Sequence, residues 1–517
     1  MSKKKLIVVG LDGANWKLIE PWLKELPNIA NLRAKGCWGD LKSCLPPVTV
    51  PNWKCYSTGK NPGKLGVYWF ERIDCKNRKL EMSSSDSYKS LELWDYLNKH
   101  GIKTGIVNMP TTYPPKKVNG FLVSGGPDAE YSLEGGYTYP KNFAKYLKEN
   151  FNYKIHPDKL LTSKKEVGEE VEEILKLIES RFKVALDILP KVNFLHITIF
   201  YLNVLQHFFF RGEPTKRAWK IVDKYIGKLS EMGTIVLMSD HGCKKIEQEF
   251  FINTWLKKEG YLKTKVGVDD FLKVLGMTQE NFVNFFKKFK ILKLMHKTVP
   301  KFMQTLIPSE GGAQFERKIK KIDWEKTKAV GSGQGLIYLN LDKNSPEFEK
   351  TRKEIIKKLR KLKYKGKKVA AGVYKSEDVY WGPYINKSPN IIFEQASWVH
   401  TNGGVGRKNV FSAPKKWEAE NIRTGLFLAY GDEIREGAKI REINIVDLAP
   451  TILHMFNLKI PDDMDGKVLK KIFKSKSGLS SRKIKFLKVG ERKESVVEFK
   501  KDKEKVKKRL SALGYLD

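Results

Sequence analysis

Few of the markers that would settle a protein class at once are present in these 517 residues. The five cysteines (Cys37, Cys44, Cys55, Cys75 and Cys243) are odd in number and form no CxxC pair. That argues against a disulfide framework and against a cysteine-based zinc site, and it fits a reducing, cytoplasmic setting. No run approaches the roughly 18 apolar residues that a membrane span requires. The opening "MSKKKLIVVGLDG" has basic residues and then an apolar run of about five that stops at a glycine and an acid, so it reads as a first strand and not as a secretory signal. Acidic side chains are far outnumbered: 59 Asp and Glu against 97 Lys and Arg leave a formal charge of +38, which favours anionic partners. Zinc-finger, RRM and KH signatures are missing, so no specific nucleic-acid-binding motif directs that charge to nucleic acid.

What is there is a recurring alternation. Short β-rich apolar runs ("KLIVVGLDG", "KTGIVNMP", "VNFLHITIF", "TIVLMSDHG", "GLIYLNL", "TGLFLAYG") are each followed by polar or glycine-rich turns, with helical periodicity between them, as at 87 to 100 and 165 to 188. This predicts an α/β fold: a doubly wound, largely parallel sheet flanked by helices, with functional groups gathered past the carboxyl ends of strands. Two stretches interrupt the pattern. Residues 265 to 320 are helical in period, with Phe282, Phe285, Phe286 and Phe289 on one face and Lys287, Lys288 and Lys290 around the others, which suits a helical cap insertion or a surface lying on an anionic membrane. Residues 471 to 517 form a basic tail with 16 basic and 6 acidic side chains. The expected organisation is therefore an α/β core in two parts, 1 to 264 and 321 to 470, a cap at 265 to 320 and a basic tail. The basic run at 352 to 368 reads most simply as a solvated helix face.

Three motifs carry chemistry. "LIVVGLDG" delivers Asp12 directly after a strand, and "TIVLMSDHG" does the same with Asp240 and His241 before a turn at Gly242. Carboxylate oxygen and imidazole nitrogen together suit zinc or manganese. In "PPVTVPNWKCYSTGKNPGKLG", Pro51 suits the first position of a helix, so Thr49 sits just before its amino end, where free N–H groups and the helix dipole favour a phosphate or sulfate. A threonine hydroxyl is a poor nucleophile at neutral pH unless a divalent metal lowers its pKa. Asp12, Asp240 and His241 are the candidates to hold such a metal. Finally, "FYLNVLQHFFF" places Asn203 and His207 four residues apart, on one face of a helix. A buried Asn and His satisfying backbone carbonyls is the commoner arrangement for such a pair.

These residues, with "VNMPTTYPP" at 107 to 115, "SDHG" followed by "FFINTWLKKEGYL", "SEDVYWGP" at 376 to 383 and "DLAPTILHMFNLKIPDDMDGKVL" at 447 to 469, resemble the type I phosphodiesterase/nucleotide pyrophosphatase branch of the alkaline phosphatase superfamily. The closing "RLSALGYLD" is similar to tails seen in that family. The resemblance implies an alkaline phosphatase-like core and two metal sites sharing one phosphate. The first maps onto Asp12, Asp240 and His241, with Thr49 as the attacking group; Asn52 is the candidate substrate contact. The second usually takes an Asp and a His four apart, plus a distant His in a W-x-x-x-H segment. Here those positions read Asn203, His207 and Asn421, the last in "WEAEN". One site is intact and the second is eroded, because an amide carbonyl is a weak zinc ligand and a better one for magnesium, calcium or manganese. Leu65 stands where the family commonly has a His, and His400 in "SWVHTNGG" is a candidate replacement ligand, although a structural role is simpler.

A metal-dependent phosphohydrolase of the phosphodiesterase or nucleotide pyrophosphatase kind follows, working through a phosphoryl-threonine on an anionic substrate such as a nucleotide, sugar phosphate or lipid phosphate. A single-metal phosphotransferase resembling phosphoethanolamine transferases, or a non-catalytic binder of a phosphorylated ligand, are the alternatives that the eroded second site leaves open. Location in the cytoplasm, in part at the membrane surface, is the expectation; oligomeric state is not legible.

Overall fold

The apolar runs form the strands they predict. In the computed structural model, which describes residues 5–82, 90–130, 136–164, 168–265, 319–489 and 503–515, nine strands make one sheet: β1 (Leu6–Leu11), β2 (Cys37–Lys42), β3 (Thr104–Pro110), β4 (Gly120–Gly125), β5 (Thr138–Tyr139), β6 (Phe194–Ile199), β7 (Thr234–Met238), β8 (Thr424–Tyr430) and β9 (Ala438–Asn444). Their order is β9-β2-β8-β7-β1-β6-β3-β4-β5. Only β8 and β5 run against the rest, so the sheet is largely parallel. Strand β1 lies at its centre between β6 and β7, and all six of its residues are buried. A continuous Leu/Ile/Val run is what a strand covered on both faces requires.

The period of two divides that run between two cores. Ile7, Val9 and Leu11 pack on one side, and Leu6 and Val8 on the other. The first side carries the long helices α2 (Gly168–Ile188) and α4 (Glu213–Ser230), which pack on one another. The second carries α1 (Thr49–Thr58) and α5 (Leu448–Met455). Helix α3 (Phe200–Phe208) starts directly where β6 ends, and α6 (Lys503–Leu513) lies near the end of the chain.

A smaller four-stranded antiparallel sheet (Ala329–Gly331, Leu336–Leu339, Ile391–Gln395, Ala370–Lys375) carries the helix Pro346–Lys361. Within the basic run at 352 to 368, Ile355, Ile356 and Leu359 are buried and most of the lysines are exposed, as a solvated helix face would be. The Phe/Lys-rich insertion expected at 265 to 320 falls, from 266 to 318, outside the described residues. No helix among the described residues is long and apolar enough to cross a membrane.

Candidate active site

The register of β1 and β7 sets the first half of the site. Gly10 pairs with Met238 in parallel strands, so Asp12 and Asp240 emerge side by side from the same edge. The turn after Asp12 uses Gly13 at φ +70, whose N–H donates to Asp240 Oδ1 at 3.3 Å. A Cβ on Gly242 would lie 1.9 Å from the Thr424 carbonyl oxygen, so only glycine lets the chain leave His241 along this path. His241 Nδ1 donates to the Gly242 carbonyl at 3.1 Å, which leaves Nε2 as a lone pair. That lone pair lies 3.1 Å from Asp240 Oδ2, 3.7 Å from Asp12 Oδ1 and 3.4 Å from the Thr49 hydroxyl.

Thr49 arrives on α1. The helix starts at Thr49 itself, two residues earlier than a start at Pro51 would place it. The difference is small in cost, because N–H groups of the first turn lack an intrahelical acceptor and a proline is tolerated there. Asn52, the expected substrate contact, is fully buried with its amide engaged by backbone. It accepts from Cys44 N–H at 2.8 Å and donates to the carbonyls of Pro46 and Val48 at 2.9 and 3.0 Å. These bonds hold the loop that delivers Thr49. One turn after Thr49, Trp53 donates its indole N–H to Asp12 Oδ2 at 3.0 Å, and its ring packs so tightly on β1 that a Cβ at Gly10 would lie 2.4 Å from it.

Burial dominates the electrostatics. Desolvation pushes the Asp12 carboxyl up to about 8, against hydrogen bonds from Trp53 and Asn203 that favour its charge. Desolvation and then the neighbouring Asp12 charge hold Asp240 well above the usual carboxylate range. Burial drives His241 down to about 3, so the imidazole is neutral and its closeness to the two acids is not an ion pair. Asp12 Oδ1 and Asp240 Oδ2 are buried without a hydrogen-bond donor. One atom from each of Asp12, Asp240 and His241 lies within 4.8 Å of the others. Buried acceptors that converge without donors are costly unless a cation satisfies them, so the residues present fit a divalent ion with oxygen and nitrogen ligands.

The second half is assembled from α3 and the strand Ala419–Ile422, which pairs Asn421 with Cys243 beside the Asp240–His241 turn. His207 Nδ1 donates to the Ala419 carbonyl at 2.8 Å, and its Nε2 is a buried lone pair without a partner. Asn203 Oδ1 and Asn421 Oδ1 are likewise unpartnered. Asn203 and His207, four apart on α3, are therefore both buried here, as are Thr49, Asp12, Asp240, His241 and Asn421. The His207 ring stacks on Trp417 with centroids 3.9 Å apart. His400 hydrogen-bonds Glu420, whose other oxygen accepts from Gln334 Nε2 at 3.1 Å. Leu65 is fully buried in the apolar core.

Several contributors were not singled out by sequence reasoning. Trp53 and Gln206, whose side-chain amide donates to the Asp12 carbonyl at 3.2 Å, have helical signals: Trp53 follows Thr49 by four, and Gln206 shares α3 with Asn203 and His207. Glu420 adjoins Asn421. Tyr515 is 312 residues from Asn203, whose amide donates to its hydroxyl at 3.3 Å, and no local pattern joins the two.

A doubly wound, largely parallel sheet with carboxylates, an imidazole and a hydroxyl past its strand ends defines an alkaline phosphatase-like α/β enzyme. The sequence pattern of the type I phosphodiesterase / nucleotide pyrophosphatase family matches residues 6–398, and the chain belongs to that family of phosphoric ester hydrolases. Phosphonoacetate hydrolase from Sinorhizobium meliloti 1021, solved in complex with phosphonoformate, is 12% identical to this chain, covering 86% of it and 94% of its own length with a TM-score of 0.55. At that identity the likeness is one of fold. No curated protein sequence matches. Enzymes of this family typically depend on divalent metal ions.

Proposed function

We propose that the protein is a phosphodiesterase-type phosphohydrolase in which Thr49 attacks phosphorus. One observation carries the reading: the Thr49 hydroxyl lies 3.4 Å from His241 Nε2, which clusters with the Asp12 and Asp240 carboxylates at the carboxyl edge of two adjacent parallel strands. These three residues would hold the principal divalent ion, zinc or manganese by their donor set. His207, Asn203 and Asn421 would hold a second one weakly. An ion bound at the first site supplies the positive charge that lowers the pKa of the Thr49 hydroxyl and offsets the charge of the phosphoryl group.

The chain's own work is placement. Trp53 fixes the Asp12 carboxylate, Ser43 Oγ anchors the Asp240 backbone by donating to its carbonyl at 2.6 Å, and Gly242 fixes the His241 tautomer. Asn52 stiffens the loop before Thr49. The Thr49 oxygen, its proton passed to solvent, forms a bond to phosphorus as the bond to the leaving oxygen breaks, and water later releases the phosphomonoester that keeps the substrate's second ester group. A cavity of about 360 Å³ opens beside Asn421 and Gln334 and is lined in part by Lys17, Lys244 and Arg423. These three cations outnumber the two carboxylates of the lining, Asp40 and Glu394, which supports an anionic phosphorylated substrate.

The test is acid quenching during turnover of a generic phosphodiester with zinc or manganese restored, followed by mass spectrometry of the Thr49 peptide. Thr49 carrying the phosphoryl group with the substrate's remaining ester substituent, absent in Thr49→Ala, is the expected result. Full turnover by Thr49→Ala would sink the nucleophile assignment, and a phosphoryl group passed to an added alcohol in place of water would make the enzyme a transferase.

A further inference from the structure

The end of the chain enters this site from beyond the family match. Helix α6 is tied to the core by Arg509, which donates to the carbonyls of Pro127 and Ala129 at 2.9 Å each and pairs with Glu130 at 2.6 Å. Trp417 donates its indole N–H to Leu513 O at 3.1 Å. The helix then stops at Gly514, where φ is +97 and a Cβ would come within 2.9 Å of the Trp417 ring. Only glycine makes that turn. The Tyr515 N–H closes back on Leu510 O at 2.8 Å, a helix-terminating geometry that throws the next side chain inward.

Tyr515 is thereby buried, with ring centroids 5.1 Å from Phe70, 5.4 Å from Trp417 and 5.7 Å from His207. Packing alone would be met by phenylalanine, and a buried phenol is costly unless its O–H finds a use. The Tyr515 oxygen accepts from the Asn203 amide at 3.3 Å, and among the described residues no acceptor takes its hydrogen. The Asn203 side chain also favours the charged form of Asp12. The phenol therefore sits one amide from the Asp12 carboxylate, in the half of the site where a charged ligand is replaced by asparagine.

We propose that Tyr515 is a catalytic residue, a hydrogen-bond donor to the leaving oxygen of the phosphoester. The assignment rests on Thr49 as nucleophile. Thr49 reaches the site on the His241 side and Tyr515 on the Asn203 side, and in-line displacement puts the leaving oxygen opposite the attacking one. As the Thr49 oxygen, its own proton already lost to solvent, bonds to phosphorus, the electron pair of the breaking P–O bond stays on the leaving oxygen. Tyr515 O–H hydrogen-bonds that oxygen without giving up its proton, and water protonates the departing alcohol.

The experiment measures kcat/KM for Tyr515→Phe and wild type on aryl phosphodiesters of increasing leaving-group pKa. The loss should be a few-fold for nitrophenol and grow to about 100-fold for phenol, since a donor matters in proportion to the charge that develops on its acceptor. A loss equal across the series, or none, overturns the proposal. A second measurement does not depend on turnover: 3-fluorotyrosine placed at 515 should show a 19F shift when vanadate binds the metal-loaded protein, and an unmoved resonance counts against the contact. Thr49→Ala run alongside separates the two ideas. If Thr49→Ala is as active as wild type, the nucleophile reading has failed; if only the leaving-group dependence is absent, Tyr515 alone has.

Discussion

The two halves of the site differ in how their lone pairs are set. In the first, two carboxylates and a neutral imidazole are buried at the ends of β1 and β7, and the register of a parallel pair holds them together. In the second, an imidazole and two amides come from a helix and a short strand, with Trp417 and Tyr515 packed over them. The first concentrates negative charge that a cation must offset; the second is nearly neutral and is filled by aromatic side chains. Charge density, not geometry, sets them apart, since unpartnered acceptors face inward in both.

The largest expected effect tests the first half. Thr49→Ala should cost about 1000-fold or more in kcat for phosphodiester hydrolysis, the scale at which removal of a nucleophile is felt, while the unfolding midpoint stays near wild type. Asp240→Asn should reduce activity nearly as much and lower bound zinc or manganese, measured by elemental analysis after dialysis. It should also stabilise the metal-stripped protein relative to stripped wild type, because it removes a buried carboxyl whose raised pKa costs folding free energy at neutral pH. A stripped Asp240→Asn protein that melts lower than stripped wild type would show that the carboxylate pair is not under the strain its burial implies.

A smaller effect sharpens the contrast. Converting both amides, Asn203→Asp with Asn421→His, should raise bound metal from about one toward about two per chain, because carboxylate and imidazole are stronger ligands than amides. Unchanged stoichiometry would mean that Trp417 and Tyr515 close the second half whatever its ligands.

The central sheet was legible because a run such as Leu6–Leu11 is apolar, β-branched and stopped by an acid and a glycine, and parallel strands have no other reading. Asp12, Asp240 and His241 were legible for the same reason, as groups at strand ends. The start of α1 was displaced by two residues because a proline fits any position of the first turn. The Asn52 amide is engaged by the loop that delivers Thr49, a partnership that sequence spacing alone does not reveal. Tyr515 was out of reach, since long-range docking, not local pattern, brings it to α3.

The smallest effect concerns stability and separates the site from the sheet beneath it. His196 lies on β6, buried, accepting or donating at 3.0 Å with the Tyr56 hydroxyl and 2.8 Å with Thr198 Oγ1. Burial holds it down to about 3, against about 6.5 in an unfolded chain. Between those values the unfolded chain binds a proton that the folded one does not, so stability is complete above about pH 6.5 and is lost as pH falls below it. The slope from this one group is about 1.4 kcal/mol per pH unit. His156, His207 and His454, also shifted down by burial, act in the same direction, while the raised Asp12 and Asp240 act against them, so the difference between His196→Asn and wild type carries the test. Urea unfolding of chelator-treated protein at pH 7.0 and about 5.5 should show the loss, and His196→Asn should reduce it by about 1 kcal/mol without changing metal content. An equal pH slope in His196→Asn would place the proton uptake at the remaining histidines, since the carboxylate pair, raised by burial, releases protons on unfolding.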